Sequence, residues 1–202
     1  MAGDAAKKRA TYQDVLDAPP HHTAQILFGT LHVMPRPRAR HAVATAALGA
    51  ELGAAFGRKR RAPGGWVLLD EPELHLGDDP DVVVPDLAGW RRERMPEVPD
   101  VAAFTLAPDW ICEVLSPGTE RIDRGEKMDI FAREGVRHAW LVEPRRKYLE
   151  VFRLEVSAGV ARWLRIALHA GDAVVHAEPF EELALQLDLL WTDEGEAAEP
   201  GA

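Results

Sequence analysis

The apolar segment from Asp109 to Leu115 is the feature that most restricts how this chain can fold. A run of this kind is typical of a buried strand, and it ends at the break Ser116-Pro117-Gly118. The next segment, Thr119 to Glu134, predicts a helix that is capped by its first residue and ends before Gly135. Val136 to Val142 then predicts another strand. A strand, a helix and a second strand in close succession favour an α/β arrangement.

Further predicted elements flank this central unit. Ala39 to Phe56 is rich in Ala, the strongest helix former, and has apolar residues at helical spacing, so it predicts a helix. The predicted strands are a hairpin from Ala24 to Met34 that turns at Gly29-Thr30, then Trp66 to Leu69, Glu73 to Leu76, Val82 to Ala88, Tyr148 to Glu155 and Val160 to Leu168. This order predicts a mixed α/β domain rather than a repeated βαβ array.

Length and composition favour one compact domain. The chain has 202 residues, of which 47% are hydrophobic, so it can bury a sizeable core. We predict a flexible N-terminus over residues 1–10 and a single domain over residues 11–191. Residues 192–202 are acidic and small, with Pro and Gly among them, and we expect them to be disordered.

Charge and cysteine content limit the partners and the compartment. The formal net charge of -9 argues against a protein that coats nucleic acid indiscriminately, because nonspecific affinity comes mostly from neutralised phosphates. A local basic groove remains compatible with it. The single cysteine, Cys112, cannot form an internal disulfide and fits a reducing compartment. Since we find neither a signal peptide nor an apolar stretch near the roughly 20 residues that cross a bilayer, we predict a cytoplasmic protein without a membrane segment.

Two carboxylates interrupt the apolar strands. Asp86 follows the run Val82 to Val84, and Glu113 lies on a strand face that it shares with Ile111 and Leu115. A carboxylate in such a place costs free energy unless it is compensated, and two of them repel each other unless a cation lies between them. Because Mg²⁺ commonly binds one or two carboxylates and several waters, the pair predicts a site for Mg²⁺ or Mn²⁺.

Lys127 lies on the helix that follows the Glu113 strand. After the short turn this helix can fold back and direct a basic side chain at the carboxylates. A metal with an ordered water, together with a cation that stabilises developing charge, is what phosphodiester hydrolysis needs. Two structural alternatives remain open at this point: Glu113 forms an ion pair with Lys127 or Arg124, and Asp86 caps a turn.

Several motifs occur in an order that resembles a known family. They are Val84-Pro85-Asp86, Cys112 to Pro117, Lys127, Gly135-Val136 and Ala139 to Pro144. The series resembles the Uma-type family of putative restriction endonucleases, which belongs to the PD-(D/E)xK nuclease superfamily. The resemblance extends over nearly the whole chain, and its block Glu-Val-Leu-Ser-Pro is the specific part.

This resemblance implies a restriction endonuclease-like core, in which helices flank a central mixed β-sheet. It implies that Asp86 and Glu113 are metal ligands and that the backbone carbonyl of Val114 is a third. The lysine expected two residues after Glu113 is absent, because Leu115 occupies that position. The resemblance implies that Lys127 replaces it.

Gln25 departs from the family pattern, because members usually carry Glu at this place. An amide oxygen can still bind a metal or orient a water, but it is a weaker ligand than a carboxylate and cannot act as a general base. We therefore keep two functional predictions. One is a Mg²⁺-dependent endonuclease that hydrolyses DNA, with Gln25 in its catalytic site. The other is a nuclease-fold protein that binds nucleic acid or a partner protein without cutting.

DNA is the expected partner in the first prediction. His41 lies at the start of the Ala-rich helix, and Arg38 and Arg40 lie just before His41, so all three are candidates for contacts with phosphates. Each of them is also compatible with a structural or solvated role. We predict a homodimer, because paired sites suit cleavage of both strands of a duplex. A mainly structural oligomerisation domain, with Tyr148 to Leu168 as an exposed edge, is a third possibility.

Overall fold

The computed structural model describes residues 9–36, 38–57 and 65–192. The predictions of a flexible N-terminus and a disordered tail concern mostly residues 1–8 and 193–202, which lie outside the described residues. At the start of the described chain, the N–H of Ala10 donates to the carbonyl of Gly29 at 2.8 Å. In the described ranges, no helix has the length and apolar character needed to span a membrane.

The helices and strands follow one another closely along the chain. The strands are β1 (His22–Leu27), β2 (Thr30–Pro35), β3 (Trp66–Asp70), β4 (Leu74–Leu76), β5 (Asp81–Val83), β6 (Leu87–Arg91), β7 (Trp110–Val114), β8 (His138–Glu143), β9 (Tyr148–Ser157), β10 (Val160–Ala170), β11 (Val174–Val175) and β12 (Leu185–Gln186). The α-helices are α1 (Tyr12–Leu16), α2 (Ala39–Leu52), α3 (Glu120–Ile122) and α4 (Met128–Arg133). Two π-helical turns, Gly53–Gly57 and Asp123–Lys127, and a 3-10 helix, Leu187–Leu190, complete the set.

The main sheet has six strands in the order β10-β9-β8-β7-β6-β3. Strands β7 and β8 are parallel, and the other neighbours are antiparallel. Because the sheet contains both kinds of pairing and helices pack against it, the predicted mixed α/β fold with a central mixed sheet is confirmed. A second sheet has the order β2-β1-β5-β4 and begins with the predicted hairpin.

Successive side chains of β7 enter two different hydrophobic cores. Cys112 and Val114 pack in one core together with α2 and the C-terminal segment. Ile111 and Leu115 pack in the other, together with α4. Because side chains alternate along a strand, Glu113 shares its face with Ile111 and Leu115, as predicted. The main sheet is therefore buried on both sides, and Glu113 lies on the side of α4.

The predicted strand from Val82 to Ala88 is wrong as a single element. Strand β5 ends at Val83 and belongs to the four-stranded sheet, whereas β6 begins at Leu87 and belongs to the six-stranded sheet. The segment between them contains Pro85, which has no N–H to donate to a ladder. Asp86 therefore lies at a junction between two sheets and not on the face of a continuous strand.

The helix predicted after β7 is present, but it differs from the prediction in two ways. A π-helical turn, Asp123–Lys127, joins α3 to α4. Thr119 makes no side-chain capping bond, although it was predicted as the cap. Its hydroxyl lies 3.0 Å from Ser116 Oγ instead. This contact links the first and last residues of the turn that leads from β7 into the helix.

The C-terminal segment contributes to the core that contains α2, and the sequence patterns did not predict its elements. Phe180 lies at the centre of an aromatic cluster, with ring centroids 4.8 Å from Trp66, 5.0 Å from Trp110 and 5.6 Å from Trp140. These contacts close the face of the main sheet that lies opposite Glu113.

Candidate active site

A cleft of about 390 Å³ opens where the two sheets and two helices meet. It is bounded by the hairpin of β1 and β2, the start of α2, the junction between β5 and β6, and the turn after β7. The predicted residues that line it are Gln25, Arg38, His41, Asp86, Glu113 and Lys127. Residues far apart in the sequence therefore meet in one place.

Asp86 is held by two donors that both reach Oδ2. The N–H of Val114 donates to it at 2.6 Å. This N–H becomes available because β6 begins at Leu87 and its register with β7 pairs Leu87 with Cys112. His41 Nε2 lies 3.0 Å from the same oxygen. The Asp86 side chain thus extends the β6–β7 connection beyond the end of the ladder.

His41 lies in the first turn of α2 with its ring between the helix and Asp86. Burial alone would lower the pKa of the imidazole, but the hydrogen bond and the charge of Asp86 raise it above its usual value. Thr45, one turn further along, donates its hydroxyl to the carbonyl of His41 at 3.0 Å. The structure therefore places His41 against a predicted metal ligand.

Glu113 and Lys127 form a buried pair in which Nζ lies 2.6 Å from Oε2. Burial raises the pKa of the Glu113 carboxyl well above its usual value, and the charge of Lys127 opposes that rise. Nζ also donates to the carbonyl of Val84 at 3.0 Å. The ion pair that was left open as an alternative is thus present, and its partner is Lys127. Arg124 instead pairs with Glu120 and Glu150.

Asp123 is a third carboxylate in the cleft and is buried, and the sequence patterns did not identify it as a site residue. Its Oδ1 lies 3.4 Å from Lys127 Nζ. Burial raises the pKa of the Asp123 carboxyl, and the Lys127 charge opposes that rise. Both residues belong to the π-helical turn, a distortion often found at functional sites. The available signal was their i,i+4 spacing, which is equally common on solvated helix faces.

Gln25 is buried in the wall of the cleft on β1, with 2% of its surface exposed. Its Oε1 accepts a hydrogen bond from the N–H of Val84 at 2.8 Å. This bond ties β1 to the junction that carries Asp86. Gln25 therefore has a structural contact whether or not it also faces a ligand.

The two predicted arginines are in different positions relative to the cleft. Arg38 is exposed and lines it, and so does Arg36. Arg40 is exposed, but it is not among the residues that line the cleft. The structure thus brings one of the two predicted arginines to the site.

The oxygen atoms of the cleft fit a divalent cation. Glu113 Oε1 is buried and has no hydrogen-bond partner among the described residues. Burial raises the pKa of this carboxyl, and the neighbouring charges of Asp123 and Asp86 raise it further. Over the described residues, no three His, Cys, Asp or Glu side chains form a metal-binding group. Two carboxylates with a backbone carbonyl and waters match the usual set for Mg²⁺. Val114, the predicted main-chain ligand, directly follows Glu113 and is buried, and it is not among the residues that line the cleft.

The fold resembles that of a solved protein. It is similar to the crystal structure of a putative nuclease belonging to DUF820 from Anabaena variabilis, with a TM-score of 0.68. The two chains are 21% identical, and the alignment covers 90% of this chain and 97% of that one. At this identity the similarity concerns the fold, and it confirms the predicted fold class. No curated protein sequence matches this chain.

Family membership follows from the sequence itself. Residues 10–189 match the model of the Uma2 family, which is described as "Putative restriction endonuclease". The matched range contains every residue of the cleft named above, and it confirms the resemblance noted from the motifs. The chain belongs to the Uma2 family of putative restriction endonucleases.

Proposed function

We propose that this protein is a metal-dependent endonuclease that hydrolyses phosphodiester bonds of DNA. The observation that carries the proposal is the meeting of Asp86, Glu113 and Lys127 in one cleft, although they lie on three separate segments of the chain. Burial of Glu113 and Lys127, with Asp86 partly buried beside them, costs free energy that a purely structural core would avoid. Membership in a family of putative restriction endonucleases also supports this proposal.

Asp86 and Glu113 would hold Mg²⁺ or Mn²⁺, with the carbonyl of Val114 as a further ligand. A bound divalent metal supplies a water of lowered pKa and offsets negative charge on the phosphate. Glu113 Oε1 has a lone pair free for this role within the described structure. Asp86 is already oriented by its bonds from Val114 and His41.

Lys127 would stabilise the charge that develops on the phosphate oxygens during attack. Its ammonium is kept in place by Glu113, Val84 and Asp123. Burial alone would lower the pKa of Lys127, but the charges of Glu113, Asp123 and Asp86 raise it above its usual value, so the side chain remains charged at neutral pH. In hydrolysis the hydroxyl of water is added to phosphorus, and the leaving oxygen takes up a proton.

Arg38, which lines the cleft, would contact the DNA backbone beside it. Because phosphate contacts position a nucleic acid without reading its sequence, this residue would support binding rather than specificity. We also propose that the protein acts as a homodimer, so that two sites cut the two strands of a duplex. Light scattering of the purified protein, alone and with DNA, tests this assembly.

Cleavage of a supercoiled plasmid in Mg²⁺ or Mn²⁺ tests the proposal. Asp86→Asn and Glu113→Gln should abolish nicking, and Lys127→Met should slow it by about 100- to 1000-fold. Asp172→Asn is a matched control, because this exposed carboxylate lies outside the cleft. Equal cleavage by wild type and Asp86→Asn would identify a contaminating nuclease and overturn the proposal.

A second candidate is a nuclease-fold protein that binds nucleic acid or a partner protein without cutting. The contact of Gln25 with Val84 favours it, because the amide oxygen is already used where a carboxylate ligand would lie. Calorimetry separates the two candidates. Retained DNA affinity without Mn²⁺ binding would support the second one, and Mn²⁺ binding that depends on Asp86 would support the enzyme.

A further inference from the structure

We propose that His41 is a positioning residue that sets the orientation of Asp86 for the metal. This role rests on the proposed metal site and is distinct from a contact with phosphate. Its basis is the hydrogen bond from His41 Nε2 to Asp86 Oδ2 at 3.0 Å. Both side chains are largely buried, with 11% and 16% of their surfaces exposed.

The two donors to Asp86 make its two carboxylate oxygens different. Val114 on β7 and His41 on α2 both reach Oδ2. A free carboxylate can exchange its oxygens by rotation, but two donors from different elements oppose that rotation. Within the described structure this leaves the lone pairs of Oδ1 for a ligand in the cleft. His41 thereby selects which oxygen faces the metal.

His41 is itself fixed in place by its neighbours. Its Nδ1 lies 3.4 Å from Thr45 Oγ1, and the Thr45 hydroxyl donates to the His41 carbonyl at 3.0 Å. Nε2 is engaged with Asp86 and Nδ1 lies beside Thr45, so each ring nitrogen already has a neighbour within the protein. The geometry thus favours action through Asp86 over direct binding of a phosphate.

A residue that donates a hydrogen bond to a metal ligand affects metal affinity more than it affects the stability of the fold. Loss of such a partner typically weakens metal binding by about 10- to 100-fold, because the ligand loses its orientation. His41 makes this contact only on the Asp86 side of the cleft, whereas the contacts of Lys127 are with Glu113, Asp123 and Val84. Removal of His41 should therefore weaken metal binding without disturbing the lysine.

The test is calorimetric titration of MnCl₂ into the full-length protein. His41→Asn and His41→Gln carry the same amide and differ by one methylene, and only Gln has the reach to donate to Asp86. His41→Leu is a second variant without a donor. His75→Leu is a matched control, because His75 Nε2 lies 2.8 Å from Glu73 Oε1 in a pair outside the cleft. Thermal unfolding without metal shows that each variant is folded.

We expect His41→Asn and His41→Leu to weaken Mn²⁺ binding by about 10- to 100-fold, and His41→Gln and His75→Leu to bind within a few-fold of wild type. A donorless variant that is folded and binds as tightly as wild type overturns the positioning role. Equal weakening in the Gln and Asn variants also overturns it, because reach would then not matter. Wild-type protein that binds no Mn²⁺ overturns the proposed metal site itself.

Discussion

Lys127 Nζ lies 2.6 Å from Glu113 Oε2, and the two side chains have 4% and 1% of their surfaces exposed. The pair joins the helix after β7 to the main sheet inside the candidate active site. In the proposed site, Glu113 would contact both Lys127 and the metal. The stability of the fold and the proposed chemistry of the site therefore involve the same two residues.

Replacement of Lys127 by Met should destabilise the metal-free protein by about 3 to 5 kcal/mol, because Glu113 would keep a buried carboxyl without its partner. The combined variant Lys127→Met with Glu113→Gln should recover part of this loss, since it removes both charges. Urea unfolding followed by circular dichroism measures the difference. Equal stability of the single and the double variant would contradict the prediction.

Asp123→Asn should lower kcat for DNA cleavage by roughly 10- to 100-fold, because Lys127 would lose one of the groups that keep it in place. Mn²⁺ affinity should stay near that of wild type, since Asp123 is not a proposed ligand. Single-turnover cleavage and calorimetry measure the two quantities. The exposed carboxylate Asp129 on the same helix provides a control, Asp129→Asn. A loss of metal affinity would instead make Asp123 a ligand.

Gln25→Glu should strengthen Mn²⁺ binding, because a carboxylate is a better ligand than an amide oxygen and Gln25 lines the cleft. Burial of the new charge should make the metal-free variant less stable. Calorimetry and thermal unfolding with and without Mn²⁺ test both effects. If Mn²⁺ affinity and stabilisation by Mn²⁺ are unchanged, position 25 lies outside the metal site.

Arg38→Ala should weaken DNA binding and reduce the slope of log affinity against log salt by about one, as expected for one lost phosphate contact. Arg40→Ala is a matched control, since Arg40 is also exposed but does not line the cleft. Fluorescence anisotropy with a catalytically inactive Asp86→Asn background measures binding without cleavage. A larger effect of Arg40→Ala would place the DNA on another surface.

His138 predicts a specific pH dependence of stability. Burial lowers the pKa of His138, although Glu178 lies 3.4 Å away and opposes the shift. The unfolded chain therefore binds this proton more tightly than the folded protein does. The stability that His138 contributes is present above the unfolded pKa of about 6.5 and is lost as pH falls through and below it.

The free energy of unfolding should accordingly fall less between about pH 7.5 and pH 5.5 in His138→Gln than in wild type. Urea titrations at the two pH values provide the comparison, and the shared carboxylates cancel in the difference. A steeper fall in the variant would show that the histidine gains a proton on folding.

Much of the fold could be predicted from local patterns. The hairpin around Gly29, the Ala-rich helix and the buried strand with Glu113 all occur where periodicity and turn residues placed them. The predicted strand from Val82 to Ala88 failed, because an apolar run carries no information about its pairing partners. Only the two sheets together show that the chain changes sheets at Pro85.

Part of the candidate site could likewise be predicted from the sequence, and part could not. Asp86 and Glu113 were predicted from their positions in apolar segments and from family motifs, and Lys127 largely from the family motifs. The structure places all three in one cleft. Asp123 was missed because a helical Asp four residues before a Lys has the same pattern when it is solvated. The contact of His41 with Asp86 spans 45 positions of sequence and has no local signature.

The sequence alone thus determined the mixed α/β class, the family and the chemical types of the candidate site residues, because these depend on local composition and order. Tertiary structure decided which oxygen of Asp86 accepts hydrogen bonds, which basic side chain pairs with Glu113, and which of the two predicted arginines lines the cleft. Those outcomes depend on distances between elements that are remote in the chain. They are set by how the two sheets and the helices pack, and no local pattern encodes them.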